Sequence, residues 1–244
     1  MKSARSVVVL LAAAVLSAGC SDSTGRPAPS SIPIDPDNVT DFAVLYGQNC
    51  SGCHGSEAKG GAALPIGDPV YLAVADDEVL HKVVTNGVDG TSMPAFARSA
   101  GGMLTDKQVD IIVRGIRQKY SKPDALAGVT PPAYAATEPG DAMRGASVYA
   151  TYCASCHGSD GKGTAKGSSI VDGSFLALLT DQELRTLVII GRPDLGAPDW
   201  RNNAPGQPMS PQEISDVVAW LASKRSQFPG RPYPHGAKPA GEHP

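Results

Sequence analysis

Cys50-Ser51-Gly52-Cys53-His54 returns about a hundred residues later as Cys153-Ala154-Ser155-Cys156-His157. This C-x-x-C-H pattern is the attachment signature of a c-type haem. Two thiols three positions apart on a helical turn can reach the two vinyl groups of one porphyrin, and the histidine that follows can bind the iron. The sequence therefore predicts two covalent haem c groups. The predicted attachment residues are Cys50, Cys53, Cys153 and Cys156, and the predicted proximal ligands are His54 and His157.

Two other chemistries use C-x-x-C pairs. One pair can form a redox disulfide, and two pairs can form a four-cysteine zinc site. Neither chemistry requires a histidine directly after the second cysteine, and here that histidine occurs twice. The spacing favours haem over both alternatives.

The N-terminus has the pattern of a secretory signal. Lys2 and Arg5 precede an uninterrupted apolar run over 7–16, which is too short to span a bilayer. The segment Leu16-Ser17-Ala18-Gly19-Cys20 then resembles the lipobox of bacterial lipoproteins, which implies that Cys20 is the diacylated first residue of the mature protein. The alternative is an ordinary signal peptide with an unrelated cysteine.

A lipid anchor would place the protein on the periplasmic side of a membrane of a bacterial cell envelope, where haem is attached to C-x-x-C-H motifs. Two or three acyl chains suffice for stable anchoring, whereas one does not. Ser21 follows the cysteine and leaves the choice between inner and outer membrane open. The formal net charge of -3 comes with no basic cluster that would suggest a nucleic-acid partner.

Segments rich in Pro, Ser and Gly divide the chain, since such segments are typical of tethers and linkers. Each unit between them has only about 85 residues, few for an apolar core, so we expect folding to depend on the haem. The predicted order is a signal peptide (1–19), a flexible tether (20–37), a first domain (38–121), a linker (122–139), a second domain (140–228) and a loose tail (229–244).

The two units are internal repeats. The aligned pairs are Cys50 with Cys153, Gly87 with Gly191, Pro94 with Pro198, and Phe96 with Trp200. After each proline-x-aromatic element, Thr105 or Ser210 has the pattern of a capping box before an amphipathic helix. Other predicted helices are Phe42–Asn49, Asp76–Val84, Met143–Tyr152 and Asp181–Ile190. No strand-like alternation recurs, so the predicted fold is all-α, twice.

This order of elements resembles class I cytochromes c over nearly all of both units. In that family the first and last helices cross closely, commonly with a glycine packed under an aromatic ring. The resemblance implies that Gly145 packs against Trp220 in the second unit. In the first unit the two partners have exchanged helices, which predicts that Phe42 packs over Gly115.

The distal ligands distinguish the two units. Ser92-Met93-Pro94-Ala95-Phe96 looks like the distal methionine loop of the family, which implies that Met93 is the second axial ligand of the first haem. Met103 is the competitor, but no proline follows it. In the second unit Ala197 stands where the family has methionine, and alanine cannot bind iron. The alternatives are Met209, which aligns with Leu104, an open or water-bound iron, or another side chain.

The remaining histidines and polar groups are weaker candidates. His81 lies on a predicted helix, and His235 and His243 lie in the tail, so all three are interpreted as surface residues. Asp199 and Arg201 are either distal polar groups of the second haem or part of a solvated loop.

The favoured function is electron transfer without enzyme activity. Single electrons would pass between respiratory-chain proteins, such as a quinol-oxidising complex and a haem–copper terminal oxidase. The run from Gly191 to Trp200 resembles cytochrome domains associated with terminal oxidases. The alternatives are a cytochrome subunit of a periplasmic dehydrogenase and a haem protein whose second site binds or reduces a small ligand. A dihaem peroxidase normally needs a longer chain and a further histidine ligand.

Overall fold

The structure is a computed structural model that describes residues 34–226. The predicted signal peptide with Cys20, most of the predicted tether, and the predicted tail with His235 and His243 lie outside these residues. The described residues belong to two units that divide between Val39 and Thr40. The described part of the short unit contains one 3-10 helix, Pro36–Asn38, which begins where the Asp35 side chain accepts a hydrogen bond from the Asp37 amide.

The larger unit is helical, and residues 34–226 contain no strand, only two isolated β-bridges. The prediction of an all-α fold is confirmed. The helices of the first half are α1 (Phe42–Asn49), α2 (Ser51–His54), α3 (Pro69–Val74), α4 (Asp77–Asn86) and α5 (Asp106–Tyr120). Those of the second half are α6 (Ala142–Tyr152), α7 (Ala154–His157), α8 (Gly173–Ala177), α9 (Asp181–Ile190) and α10 (Pro211–Ala222). Two further 3-10 turns are Arg98–Ala100 and Pro193–Leu195.

Helix starts follow the predicted capping chemistry. Thr105 and Ser210 each accept a hydrogen bond from the amide three residues later. The side-chain oxygen at that later position accepts a hydrogen bond from the amide of the cap residue. These reciprocal bonds satisfy amides that a helix leaves without partners. A third capping box begins α9 at Thr180.

The amphipathic stripes of the last helices form the cores of the two halves. Eight apolar residues at i, i+3, i+4, i+7 spacing on these two helices are buried: Val109, Ile112, Val113, Ile116, Ile214, Val217, Val218 and Leu221. In the first half α5 packs on α1 and α4, and in the second α10 packs on α6 and α9. Each half therefore encloses its own apolar interior beneath a C-terminal helix.

The predicted helix crossings are confirmed in both halves. A Cβ added to Gly115 would lie 2.6 Å from Phe42 Cε2 and closer still to two other ring atoms, so the ring lies directly over the glycine. A Cβ added to Gly145 would lie 2.8 Å from Trp220 Cβ. The Trp220 ring also stacks on Tyr149 at 4.2 Å between centroids. Exchanging the large and small partners between helices preserves the crossing because it conserves volume.

One arginine in each half binds backbone carbonyl groups at or beside the ends of helices. Arg117 donates to the carbonyls of Leu72 and Ala75 and pairs with Asp77. In the second half Arg225 makes the corresponding bonds, to Leu176, Leu179 and Asp181. Because the partners are backbone atoms distant in sequence, residue patterns gave no signal for this repeated feature.

Candidate haem sites

Each C-x-x-C-H motif forms one short helical turn that continues the preceding helix. Cys50 and Cys153 are the C-caps of α1 and α6, and their amides donate to the carbonyl oxygens of Tyr46 and Tyr149. The turns α2 and α7 place the second cysteine and the histidine on the next few positions. This arrangement brings all three functional side chains of each motif onto one turn.

The two cysteines of each motif differ in their exposure. The first is buried or half-buried, whereas the second, Cys53 or Cys156, is exposed. Burial raises the pKa of the Cys50 thiol to about 11 and that of the Cys153 thiol to about 12, so both side chains are neutral at pH 7. All four thiols are free of disulfide bonds and so remain available for thioether formation.

The two histidines are held in the same tautomer. His54 Nδ1 lies 2.7 Å from the carbonyl oxygen of Leu64, and His157 Nδ1 lies 2.7 Å from that of Ser168. A carbonyl oxygen only accepts, so each Nδ1 carries the proton and each Nε2 keeps its lone pair. Burial also lowers the pKa of His54, which favours the neutral ring. The two Nε2 atoms are therefore suited to bind a haem iron, which takes a neutral imidazole whose other nitrogen is hydrogen-bonded.

A tyrosine four residues before the first cysteine fixes the chain that leaves each motif. The Tyr46 hydroxyl donates to the Gly55 carbonyl at 2.8 Å. The Tyr149 hydroxyl donates to the equivalent carbonyl of Gly158. Each bond ties the helix before the motif to the residue directly after the histidine. Sequence reasoning missed both tyrosines, although their identical placement before the two motifs was available as a signal.

The loop that contains Met93 begins at a glycine with an obligatory conformation. Gly87 has φ +69°, and a Cβ there would lie 2.6 Å from the Met93 carbonyl oxygen. A side chain at this position is therefore excluded by both strain and space. The Val88 amide donates to the Met93 carbonyl, and the Met93 amide donates to Thr91 Oγ1. Met93 itself is half-buried, whereas the competing Met103 is 79% exposed.

The second half repeats this backbone with a different side chain. Gly191 has φ +68°, and a Cβ there would lie 2.6 Å from the Ala197 carbonyl oxygen. The Arg192 amide donates to that oxygen at 3.0 Å. Ala197 therefore occupies the structural position of Met93, as the alignment predicted.

Two segments of the chain match known protein families. The family described as "Cytochrome C oxidase, cbb3-type, subunit III" matches residues 37–114, and the family described as "Cytochrome c" matches residues 142–224. Each match contains one C-x-x-C-H motif. The chain consists of two tandem cytochrome c domains. Its cofactors are two covalently bound haem c groups, as predicted.

Curated relatives of the tandem cytochrome c chain include subunits of two respiratory complexes. The cbb3-type cytochrome c oxidase subunit CcoP of Cereibacter sphaeroides is 32% identical over 131 residues, covering 50% of this chain and 40% of the relative. The cbb3-type oxidase subunit FixPc of Rhizobium leguminosarum bv. viciae is 32% identical over 148 residues, covering 54% and 46%. The cytochrome bc1 complex cytochrome c subunit of Mycobacterium bovis is 25% identical over 205 residues, covering 81% and 68%. The chain thus spans less than half the length of the first two relatives.

Met209 of the second cytochrome c domain lies in the core at the start of α10. Its side chain is 3% exposed, and its amide donates to the Trp200 carbonyl at 3.0 Å. The Leu104 amide makes the same bond to Phe96 in the first domain, so the two residues are structural equivalents. The Met209 sulfur lies 3.7 Å from Asn203 Nδ2. The structure thus gives Met209 the packing position of Leu104 and places a polar amide at its sulfur.

Asp199 and Arg201 form an ion pair with each other. Arg201 Nη2 lies 2.6 Å from Asp199 Oδ2, and the two side chains are only 18% and 12% exposed. Arg201 also lies over the Trp200 ring and donates to the Ala125 carbonyl. The loop is therefore not solvated at these residues, because their charges are paired and largely buried.

Of the remaining candidate histidines, only His81 lies within residues 34–226. It is half-buried on α4, and its Nε2 lies 3.0 Å from Asp110 Oδ1. Across residues 34–226 there is no cluster of three or more His, Cys, Asp or Glu side chains suited to a bare metal ion. In the same range, no helix combines the length and apolar character needed to cross a bilayer.

Proposed function

We propose that the chain is a membrane-anchored carrier that passes single electrons between respiratory-chain proteins in the cell envelope. The observation that carries this proposal is the repeated histidine geometry. Each imidazole has its Nδ1 proton bound by a loop carbonyl and its Nε2 available, next to two free thiols on the same turn. The likeness to subunits of cbb3-type oxidases and of a bc1 complex supports the respiratory setting.

The protein groups have separate roles in this proposal. Haem iron, when bound, supplies one-electron exchange without any change in the bonds of a substrate. The four motif cysteines hold the two porphyrins, and His54 and His157 hold the iron from the proximal side. The carbonyls of Leu64 and Ser168 keep each imidazole ring oriented and raise its basicity. Met93, on the loop fixed by Gly87, is the proposed distal ligand of the first haem.

The second haem has two candidate states in the proposal. Met209 is the soft side chain closest in sequence to the altered loop, and ligation by it would make both sites six-coordinate. Its core position, equivalent to Leu104, supports instead a packing role and an open iron. A ligand-binding function is thus the second candidate, and the observation that favours it is Ala197 at the position of Met93.

The proposed partners are a quinol-oxidising complex as donor and a haem–copper oxidase as acceptor, with the membrane reached through an acyl anchor on Cys20. A permanent place as a subunit of a larger complex fits the same features, because the named relatives are subunits. Mild solubilisation separates these cases. Co-purification with an oxidase or a dehydrogenase would indicate a fixed subunit, and recovery of the chain alone would indicate a mobile carrier.

The decisive experiment is spectroscopy of the purified haem-loaded chain. A haem assay should find two haem c groups per chain, and a redox titration should resolve two one-electron steps. Cys53→Ala and Cys156→Ala are the matched controls, and each should lose one of the two haem groups. A chain that holds no haem, or that cannot be reduced and reoxidised, would contradict the proposal.

Carbon monoxide then separates the two states of the second haem. It binds ferrous haem only where the sixth position is open or its ligand is displaced. A spectral shift in half of the haem would support an open second site, and no shift would support a methionine ligand. In the latter case Met209→Ala should create the shift, whereas Met103→Ala, at an exposed methionine, should not.

A further inference from the structure

The two domains meet where the altered loop of the second domain contacts the segment after the first C-x-x-C-H motif. Asp194 Oδ2 accepts a hydrogen bond from the Gly60 amide at 3.0 Å, and Arg192 Nη2 donates to the Gly61 carbonyl at 3.2 Å. Arg192 and Asp194 also bind each other through two bonds of 2.8 and 2.9 Å. Their side chains are only 20% and 7% exposed, so this ion pair is largely removed from water.

Gly61, which Arg192 binds, lies directly on the first haem motif. A Cβ at this position would lie 2.7 Å from both the His54 carbonyl carbon and the Gly55 amide nitrogen. The absence of a side chain therefore lets the backbone approach the histidine turn closely. The Gly61 carbonyl that Arg192 binds therefore belongs to backbone that packs against the turn of the proximal histidine.

The ion pair belongs to the loop that corresponds to the methionine loop of the first domain. By the alignment of Gly87 with Gly191, Arg192 stands at the position of Val88 and Asp194 at that of Gly90. Neither residue of the first domain can form an ion pair. The second domain thus lacks the methionine and carries the two charged residues on the same loop backbone.

We infer that Arg192 and Asp194 form an interdomain clamp that fixes the spacing of the two haem groups for electron transfer within the chain. This inference rests on the proposed carrier function. The clamp joins the C-x-x-C-H turn of the first domain to a loop of the second domain. That loop corresponds to the one on which class I cytochromes c carry the distal ligand. Arg192 and Asp194 are positioning residues, because their side chains bind each other and the Gly60 and Gly61 backbone.

Neighbouring contacts add to the clamp. Helix α3 of the first domain packs on α9 of the second. Arg201 ties the same loop to the linker through the Ala125 carbonyl, and Arg185 binds the linker carbonyls of Ala133 and Tyr134. The linker is therefore held along the second domain.

The test compares the haem-loaded parent chain with a variant that combines Arg192→Ala and Asp194→Ala. Removing both charges together avoids leaving one buried without its partner. The matched control combines Asp160→Ala and Lys162→Ala, another ion pair spaced two residues apart but exposed to solvent. Spin labels on Gln118→Cys and Ala150→Cys, both exposed helix positions, report the distance between the domains.

We expect one narrow distance distribution in the parent and in the control. In the clamp variant a second, longer component should appear, with the undocked population raised at least about tenfold, a change equivalent to about 1.4 kcal/mol. Equilibration of a flash-injected electron between the haems should slow in the clamp variant alone. The haem content should stay at two and the thermal unfolding of each domain should stay unchanged.

Two outcomes separate this inference from the carrier proposal. A parent chain that binds no haem or takes up no electron overturns the carrier function. A parent that is reduced normally, with the same distances and electron equilibration in the clamp variant, overturns the clamp alone. If the double variant does not fold, Arg192→Gln combined with Asp194→Asn replaces it, because this pair removes both charges together and an amide oxygen keeps an acceptor for Gly60. An unchanged distance distribution there also overturns the clamp.

Discussion

Gly145→Ala should destabilise the second domain through the crossing of its first and last helices. The added methyl carbon would lie 2.7 Å from the Asp216 carbonyl carbon, 2.8 Å from Trp220 Cβ and closer still to the Asp216 oxygen. Ordinary contacts begin at 3.4 Å, so α6 and α10 would have to separate by about 0.7 Å or more. The obstacle is helix backbone, which cannot rotate away as a side chain can.

The magnitude follows from two opposing terms. Overpacking a well-packed interior costs about 1–3 kcal/mol, and the backbone obstacle favours the upper end. Alanine in place of glycine within a helix returns about 1 kcal/mol. We therefore expect a net loss of about 2 kcal/mol, or about 4–8 °C in Tm if the compact unit unfolds as one.

The assay is thermal and denaturant unfolding of the haem-loaded chain, followed by far-UV circular dichroism. Gly47→Ala is the matched control, since Gly47 also lies within a helix but its Cβ would meet nothing within 4 Å. That variant should be neutral or more stable by up to about 1 kcal/mol. If Gly145→Ala unfolds with the same midpoint as Gly47→Ala, the helix crossing does not carry the packing energy assigned to it.

Three further predictions concern other contacts. Met93→Ala should lower the midpoint potential of one haem by on the order of 0.1 V and open it to carbon monoxide, whereas an unchanged potential would remove Met93 as ligand. Arg144 holds the pKa of Asp216 at about 2, below its usual 3.8, so this stabilisation is present above pH 4 and is lost as the pH falls towards 2. Because Arg144 is 59% exposed, solvent screening weakens this contribution, and acid unfolding of Asp216→Asn should lack it. Arg225→Ala removes one hydrogen-bond donor from each of the Leu176 and Leu179 carbonyls and should cost about 1–3 kcal/mol in chemical denaturation, with Arg117→Ala having the same effect in the first domain.

Local sequence signals were sufficient for much of the fold. Helices Phe42–Asn49 and Asp181–Ile190 have the predicted bounds, and the capping boxes at Thr105 and Ser210 are present. The exchange of Phe42 and Gly115 was also predictable, because the internal repeat assigned each residue a partner. In these cases the determining residues lie within one helical turn or at matched positions of the two repeats.

Features that depend on backbone atoms far apart in sequence were not predictable. The short helices α3 and α8 span too few residues to show a hydrophobic period. The carbonyls that accept from the two haem-site histidines belong to Leu64 and Ser168, whose side-chain types are irrelevant to that role. The bond from Gly60 to Asp194 joins positions 134 residues apart. Composition carries no record of such contacts.

The altered loop of the second domain accounts for the asymmetry between the two haem sites. Its backbone is retained, since Gly191 and Ala197 repeat the contacts of Gly87 and Met93. In the second domain this loop carries a largely buried ion pair directed at the other domain. A charged pair desolvated in this way is stabilising only when its hydrogen bonds are satisfied, and the Gly60 amide and the Gly61 carbonyl supply two of them. The inferred clamp therefore uses the same loop backbone that presents Met93 in the first domain.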